Sequence, residues 1–261
     1  MNKITASMIW PDIAPEWMLN APKWLEDFFF NIFKCFIFEE RYNLFLKGLG
    51  NTLLLTLFAL LIGIVLGVLV ALVRVTWDKN HSEMHGLGKF ALRIANMISK
   101  VYLTIIRGTP VVVQILLLNF VVFATSRNKL LVGCLCFGIN SGAYVAEIFR
   151  GGIQSIDVGQ MEAGRSLGFG YIATMRHIIL PQAFKNVLPP LGNEFIVLLK
   201  ETAVVGYIGL SDLTYAASTV GGATYEYLFP LLLAAAIYLV LVIFFTHLVE
   251  KLERRLRTDE R

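Results

Sequence analysis

The sequence has little charge. Only 16% of its 261 residues are Asp, Glu, Lys or Arg, while 56% are hydrophobic. A soluble domain carries about 25% charged residues, so the composition does not fit a water-soluble globule. No G-x-x-x-x-G-K-[ST] run occurs, which excludes the phosphate-cradling loop that would make the chain its own ATPase. No Ser-His-Asp or Cys-His arrangement is legible. His81 and His85 flank Glu83 without forming H-E-x-x-H, so that short charged stretch reads as solvated surface. Cysteine is scarce: Cys35, Cys134 and Cys136 sit in apolar surroundings and read as small buried hydrophobes. Cys134 and Cys136 point away from each other on a helix, so no metal site is expected. The net charge of +4 is spread thinly and does not argue for nucleic-acid binding. Residues 1–20 hold Pro11, Asp12, Pro15 and Glu16 in place of a continuous apolar run. No cleavable signal peptide is therefore expected, and the first span should direct its own insertion.

What the chain has is long apolar runs. A bilayer core of about 30 Å needs about 20 apolar residues in a helix. Residues 48–73, 130–146 and 227–249 are uncharged runs. Two further segments are apolar but interrupted: residues 94–124 hold Lys100, Arg107 and Pro110, and residues 186–208 hold Glu194, Lys200 and Glu201. These five spans predict an all-α integral membrane protein. Residues 28–38 are too short to span, carry Lys34, and are expected to lie in the interface with Trp24 as anchor. The domain plan is an N-terminal arm over residues 1–41, a transmembrane domain over 42–250 and a tail over 251–261.

Lysine and arginine set the orientation. Residues 74–93, 150–185 and the tail after Val249 hold four, four and five of them. The opposite side has Arg127 and Lys129, then none over residues 206–227. The five in residues 1–47, ahead of the first apolar run, are accompanied by six acidic residues. The positive-inside rule then puts the N-terminus outside and the C-terminus in the cytoplasm.

The longest loop on the cytoplasmic side reads as two short helices. Asp157 followed by Gln160 is a weak capping-box variant. Gln160 to Leu167 can form two turns ended by Gly168 and Gly170. Tyr171 to Ile179 can form a second helix, ended near Leu180 by Pro181. Ala163 and Gly164 leave the first helix with a low profile, where a second protein could approach.

Glu162-Ala163-Gly164, three residues, Gly168, nine residues, Ile178, one residue and Leu180-Pro181 together resemble the EAA loop of ABC-importer permeases. Gly164 stands where the second alanine is usual. The resemblance extends to Gly50-Asn51-Thr52-Leu53, Arg107-Gly108-Thr109-Pro110, Ser141-Gly142-Ala143-Tyr144 through Glu147, Arg150-Gly151-Gly152, Leu188-Pro189-Pro190-Leu191-Gly192-Asn193 and Lys200-Glu201-Thr202. These are similar to the polar amino acid branch, typified by histidine, glutamine and arginine permeases. The likeness covers residues 42–257, and its outside loop at residues 124–130 is shorter than that branch leads one to expect.

The resemblance implies a permease with five transmembrane helices and a cytoplasmic coupling helix, in the bacterial inner membrane. It implies two ATP-binding subunits, a second permease and an extracytoplasmic substrate-binding protein as partners. No cofactor is expected in this chain, with ATP and Mg on the partner ATPase subunits. Gln160, Glu162, Ala163, Gly164, Gly168 and Pro181 are the expected ATPase-coupling residues.

Ionisable groups inside a bilayer are costly and normally face protein or water. Arg107 and Gln114 are seven apart, as are Glu194 and Glu201, so each pair is expected on one helix face. Asn140, Tyr144 and Glu147 follow i, i+4, i+7 on a third helix. Arg107, Thr109, Gln114, Asn140, Tyr144, Glu147, Glu194 and Glu201 are therefore the candidate lining of a substrate path. Arg107 can hold a carboxylate bidentately, and Glu194 or Glu201 an ammonium. The alternative is that Arg107 pairs with Glu147 or Glu201 purely to stabilise the bundle. Pro110 also frees the Ile106 carbonyl, which needs a partner or a cavity to line. A gradient-driven transporter would instead show inverted repeats around broken helices, and no corresponding halves are evident. A membrane enzyme would need a catalytic cluster, and none is legible.

Overall fold

The computed structural model describes residues 2–81 and 84–258, so Glu83 of the histidine-flanked stretch and the tail from Asp259 onward lie outside the described residues. Every regular element among them is helical. In chain order these are α1 (Asn2–Ile13), α2 (Glu16–Leu19), α3 (Lys23–Ile32), α4 (Tyr42–Asn80), α5 (Gly86–Gly108), α6 (Val111–Leu117), α7 (Lys129–Gln154), α8 (Val158–Ser166), α9 (Tyr171–Thr174), α10 (Leu180–Glu201), α11 (Leu213–Thr224) and α12 (Leu228–Thr258). π-helical turns follow α3, α6 and α9, and a 3-10 stretch, Thr202–Ile208, follows α10.

Among the described residues, three helices are long and apolar enough to cross a bilayer: Tyr42–Lys79, Lys129–Gln154 and Leu228–Leu256. Gly86–Gly108 and Val111–Val122 qualify only together, bent by 108° at the break between them. Residues 94–124 are thus not the straight span the sequence suggested. α10 has 22 residues, about 33 Å of helix at 1.5 Å per residue, but it is not among the helices apolar enough to qualify.

One compact unit joins Leu55–Glu201 with the chain from Ile243 onward. Its centre is α7, whose N-cap Asn128 accepts a hydrogen bond from the Leu131 N–H at 3.0 Å. Small residues let α4 and α7 meet backbone to backbone. A Cβ on Gly138 would lie 2.6 Å from Ile62, and one on Gly67 2.5 Å from Val145. Gly63 and Gly67 of α4 thus face the α7 stripe Gly138, Ser141, Gly142 and Val145, a small-xxx-small contact of the kind that packs membrane helices. α7 also meets α10, through Val145, Val187 and Leu191. α12 packs on α10 through Phe195 and Phe245, ring centroids 4.8 Å apart.

The prolines of this unit depart from the sequence reading. Pro181 does not end a helix. It is the second residue of α10, directly after the π-helical turn Met175–Ile179, and the backbone stays helical across it. Pro189 and Pro190 lie inside α10 and do not start it. The expected helix over residues 171–179 is α9 followed by that π-helical turn.

The other unit joins the chain up to Leu54 with Thr202–Val242. Cys35, Phe45, Leu213, Ala217, Val220 and Ala234 form its core. Asp212 caps α11 by accepting hydrogen bonds from the Thr214 and Tyr215 N–H groups at 3.0 and 2.9 Å. Asn51 donates to the Ser211 carbonyl at 2.7 Å, and Thr52 accepts from the Leu213 N–H at 3.2 Å. The Gly50-Asn51-Thr52 run within α4 therefore fixes the start of α11. All three cysteines are buried and free.

Candidate functional site

The break between α5 and α6 organises the buried polar residues. Thr109 and Pro110 are extended, with ψ of 145° and 134°. Pro110 has no N–H to donate back, so the Ile106 carbonyl needs another donor. Gln114 supplies it: its Nε2 donates to the Ile106 carbonyl at 2.8 Å, the Thr109 carbonyl at 3.1 Å and Thr109 Oγ1 at 2.8 Å. Thr109 Oγ1 in turn donates to the Ile105 carbonyl at 2.8 Å. Asn140 of α7 donates to Gln114 Oε1 at 2.9 Å. Gln114 and Asn140 thus hold the bend together. The bend also separates Arg107 from Gln114, so they do not share one helix face as expected.

Arg107 lies against α7. Its guanidinium stacks over the Tyr144 ring at 5.6 Å and stands 3.8 Å from Glu147 Oε1. Arg150 holds the other oxygen, Glu147 Oε2, at 3.1 and 2.9 Å. Glu147 is therefore shared by two arginines. Glu194 of α10 is buried, 9% exposed, and accepts a hydrogen bond from Ser141 Oγ at 2.7 Å. Glu201 is half-buried on the same helix.

An open cavity of about 820 Å³ is lined by Tyr144, Glu147, Lys185, Asn186, Glu194 and Glu253 among others. The sequence grouped Arg107, Asn140 and Glu194 around one cavity, and the structure divides them. Glu194 lines this one, and Arg107 lines a separate cavity whose wall Glu147 also joins. Asn140 lines neither of these two, because its amide is spent on Gln114.

The EAA-like loop folds as expected at both ends of α8. Asp157 Oδ1 accepts from the Gly159 N–H at 2.6 Å. At the exit Gly168 has φ +86°, the Phe169 N–H donates to the Gly164 carbonyl at 3.1 Å, and the Gly168 N–H donates to the Arg165 carbonyl at 3.0 Å. That pair of bonds is a Schellman motif, which needs a left-handed residue at this point. One expectation is corrected. Gly164 is no landing site for another protein: it is buried, and a Cβ there would lie 2.5 Å from Thr174 of this same chain. A side chain at Gly168 would meet nothing within 4 Å, so the constraint there is backbone conformation and not space.

Gln160, Glu162, Ala163 and Pro181 are exposed. Sequence reasoning missed the apolar part of this surface. Val158, Leu167 and Ile172 are 72%, 76% and 80% exposed, with Phe169 beside them. The available signal was four large hydrophobic residues in a Gly- and Arg-containing loop between two spans. Exposed large apolar side chains of this kind mark contact with protein or membrane.

Residues 87–258 match the family described as binding-protein-dependent transport system inner membrane component. The chain belongs to this family. It is 36% identical over 218 residues to the arginine transport system permease protein ArtQ of Bacillus subtilis (strain 168), covering 82% of this chain and 93% of ArtQ. It is 37% identical over 226 residues to the probable glutamine ABC transporter permease protein GlnM of the same organism, covering 84% and 96%. Among solved structures, a chain from the crystal structure of an amino acid ABC transporter with histidines superposes with a TM-score of 0.72 at 42% identity, covering 82% of this chain and 94% of that one. The inward-facing MetNI methionine ABC transporter gives a TM-score of 0.64 at 20% identity, a likeness of fold alone, over 82% and 95%. The all-helical architecture matches that of type I ABC importer permeases.

Proposed function

We propose that this chain is the transmembrane permease subunit of an ATP-binding-cassette importer for polar amino acids. The observation that carries the reading is the α8–α9 loop. It is a capped element that packs Met161 and Tyr171 inward and leaves Val158, Leu167, Phe169 and Ile172 exposed. ATP with Mg is bound and hydrolysed on two separate subunits, and α8 seats in a groove of one of them. One chain offers one such helix, so the working unit holds a second permease, identical or homologous. Closure of the ATPase pair moves the two coupling helices and turns the cavity outward, and hydrolysis resets it. An extracytoplasmic binding protein delivers the substrate. The N-terminus lies outside and the C-terminus in the cytoplasm of a bacterial inner membrane, with α10 as a fifth span.

Arg107, Thr109, Gln114, Asn140, Tyr144, Glu147, Glu194 and Glu201 belong to the substrate path in this reading. Gln114, Asn140 and Thr109 shape it by holding the bend. Glu194 on the cavity wall suits an ammonium, and Arg107 suits a carboxylate. The stacking of Arg107 on Tyr144 and its contact with Glu147 also favour a second reading, in which Arg107 only ties α5 to α7.

Co-purification with the ATPase subunit tests the main reading. Uptake should stop when that subunit is deleted. Uptake that survives the deletion but collapses with an ionophore would identify a gradient-driven transporter instead.

A further inference from the structure

Arg74, Lys100 and Arg107 gather around one cavity of about 520 Å³, with Thr104 on its wall. α4 supplies Arg74. α5 supplies the others at i, i+4, i+7, which places them on one helix face. The single carboxylate among the described lining residues is Glu147. It is already held by Arg150 at 2.9 Å and meets Arg107 only at 3.8 Å. The other two cations make no ion pair with Glu147. Arg74 Nη1 donates to the neutral Asn96 Oδ1 at 2.9 Å, and its Nε is buried without an acceptor. Lys100 forms no ion pair among the described residues. Three cations therefore share one carboxylate that a fourth cation holds more closely. Positive charge left uncompensated beside a membrane-spanning helix is costly, and two guanidinium forks, an ammonium and a hydroxyl are the donor set that oxyanions select.

We propose that this cavity binds an oxyanion, a phosphate or carboxylate group, through Arg74, Lys100, Thr104 and Arg107. The group has two possible sources. One is the headgroup of an anionic phospholipid, which basic pockets between membrane helices take on the cytoplasmic side. Arg74 lies about 9 Å of helix rise from the end of α4 at Asn80, close to that side in the proposed orientation. The other source is the carboxylate of the transported amino acid, since Glu147 lines both this cavity and the larger one. The lipid source does not rest on the proposed transport function, whereas the carboxylate source does.

The test uses the full chain with its ATPase subunit, stripped of lipid and incubated with phosphatidylglycerol or phosphatidylcholine. Retained lipid is counted, and amino acid uptake is then measured in phosphatidylcholine vesicles that hold the complete assembly, with ATP and the extracytoplasmic binding protein supplied. The variants are Arg74→Gln and Lys100→Gln, with Lys100→Arg as rescue. Arg93→Gln, exposed on the same helix and outside the cavity, is the control. A fall of about five-fold or more in retained phosphatidylglycerol, with phosphatidylcholine unchanged and Lys100→Arg restoring it, assigns the site to a headgroup. Unchanged lipid retention with an apparent KM raised about five-fold or more assigns it to the substrate carboxylate. If neither readout differs from Arg93→Gln in assembled protein, the site is refuted. If the unaltered protein takes up no amino acid, the transport reading fails and the lipid measurement still decides the site.

Discussion

Replacing Gln114 by methionine removes the donor that closes the α5–α6 break while keeping the side chain's length. Three bonds to Ile106 and Thr109 disappear, and so does the acceptor for Asn140. Thr109 is exposed and can find another partner. The loss therefore rests on the Ile106 carbonyl and the Asn140 amide. A buried polar group left unpaired costs about 1–3 kcal/mol. Hydrogen bonds between membrane helices are weaker, averaging ~0.6 kcal/mol with a ceiling near ~1.7. The Asn140 bond belongs to the weaker class, because the unfolded chain finds substitutes for it in a micelle. The carbonyl freed by Pro110 has no such substitute within its own helix. Gln114→Met should thus cost about 2–4 kcal/mol, and Asn140→Leu only about 1 kcal/mol. Detergent-driven unfolding of the full chain, followed by circular dichroism, measures both. If Asn140→Leu costs as much as Gln114→Met, then the contact between helices matters and the repair of the break does not. That order would refute the reasoning.

Single cysteines at Asn128 and Ser218 should react with an impermeant reagent on intact cells, while one at Lys79 should not; labelling at Lys79 would reverse the orientation. Gly168→Asp places a side chain at φ +86°, at a cost of about 1 kcal/mol, and together with Glu162→Lys it should leave the protein in the membrane while uncoupling ATP hydrolysis from substrate. Normal transport by both variants at normal abundance would remove this loop from the coupling pathway. Arg107→Lys keeps the charge and loses the bidentate fork, so a carboxylate clamp should show a raised apparent KM at unchanged assembly. Reduced assembly at unchanged KM would assign Arg107 to packing.

Local chemistry was legible in the sequence wherever one residue decides one bond. Asp157 caps α8 because a short acid before a helix accepts a free N–H. Gly168 ends α8 because the left-handed position there favours glycine. The need for a partner at the Ile106 carbonyl followed from Pro110 alone. The identity of that partner did not, because it required knowing that the chain turns by 108° there. Without the turn, Gln114 reads as a neighbour of Arg107 on a straight helix. With it, Gln114 folds back onto the broken end. Helical periodicity holds only while the helix continues, so the error lay in carrying it across a proline.

The span count turns on the same physics from the other side. α10 fails to qualify as an apolar span because it carries Lys185, Glu194, Lys200 and Glu201. Glu194 is also a residue that singles out α10 as part of a path, since it is buried beside Ser141 and opens onto the cavity. A helix that lines a polar path carries polar residues on that face; α7 and α12 cover part of the rest, and Phe184 and Val197 stay exposed. Leu198 and Leu199 are fully buried, as expected for a helix enclosed by protein. Hydropathy alone therefore ranks such a helix lowest. The reverse holds for α12, whose leucine-rich surface is exposed along most of its length, as suits lipid contact. The polar, partly covered α10 and the apolar, uncovered α12 thus follow one rule: a membrane helix must be apolar where lipid touches it, and polar groups are tolerated where protein or water does.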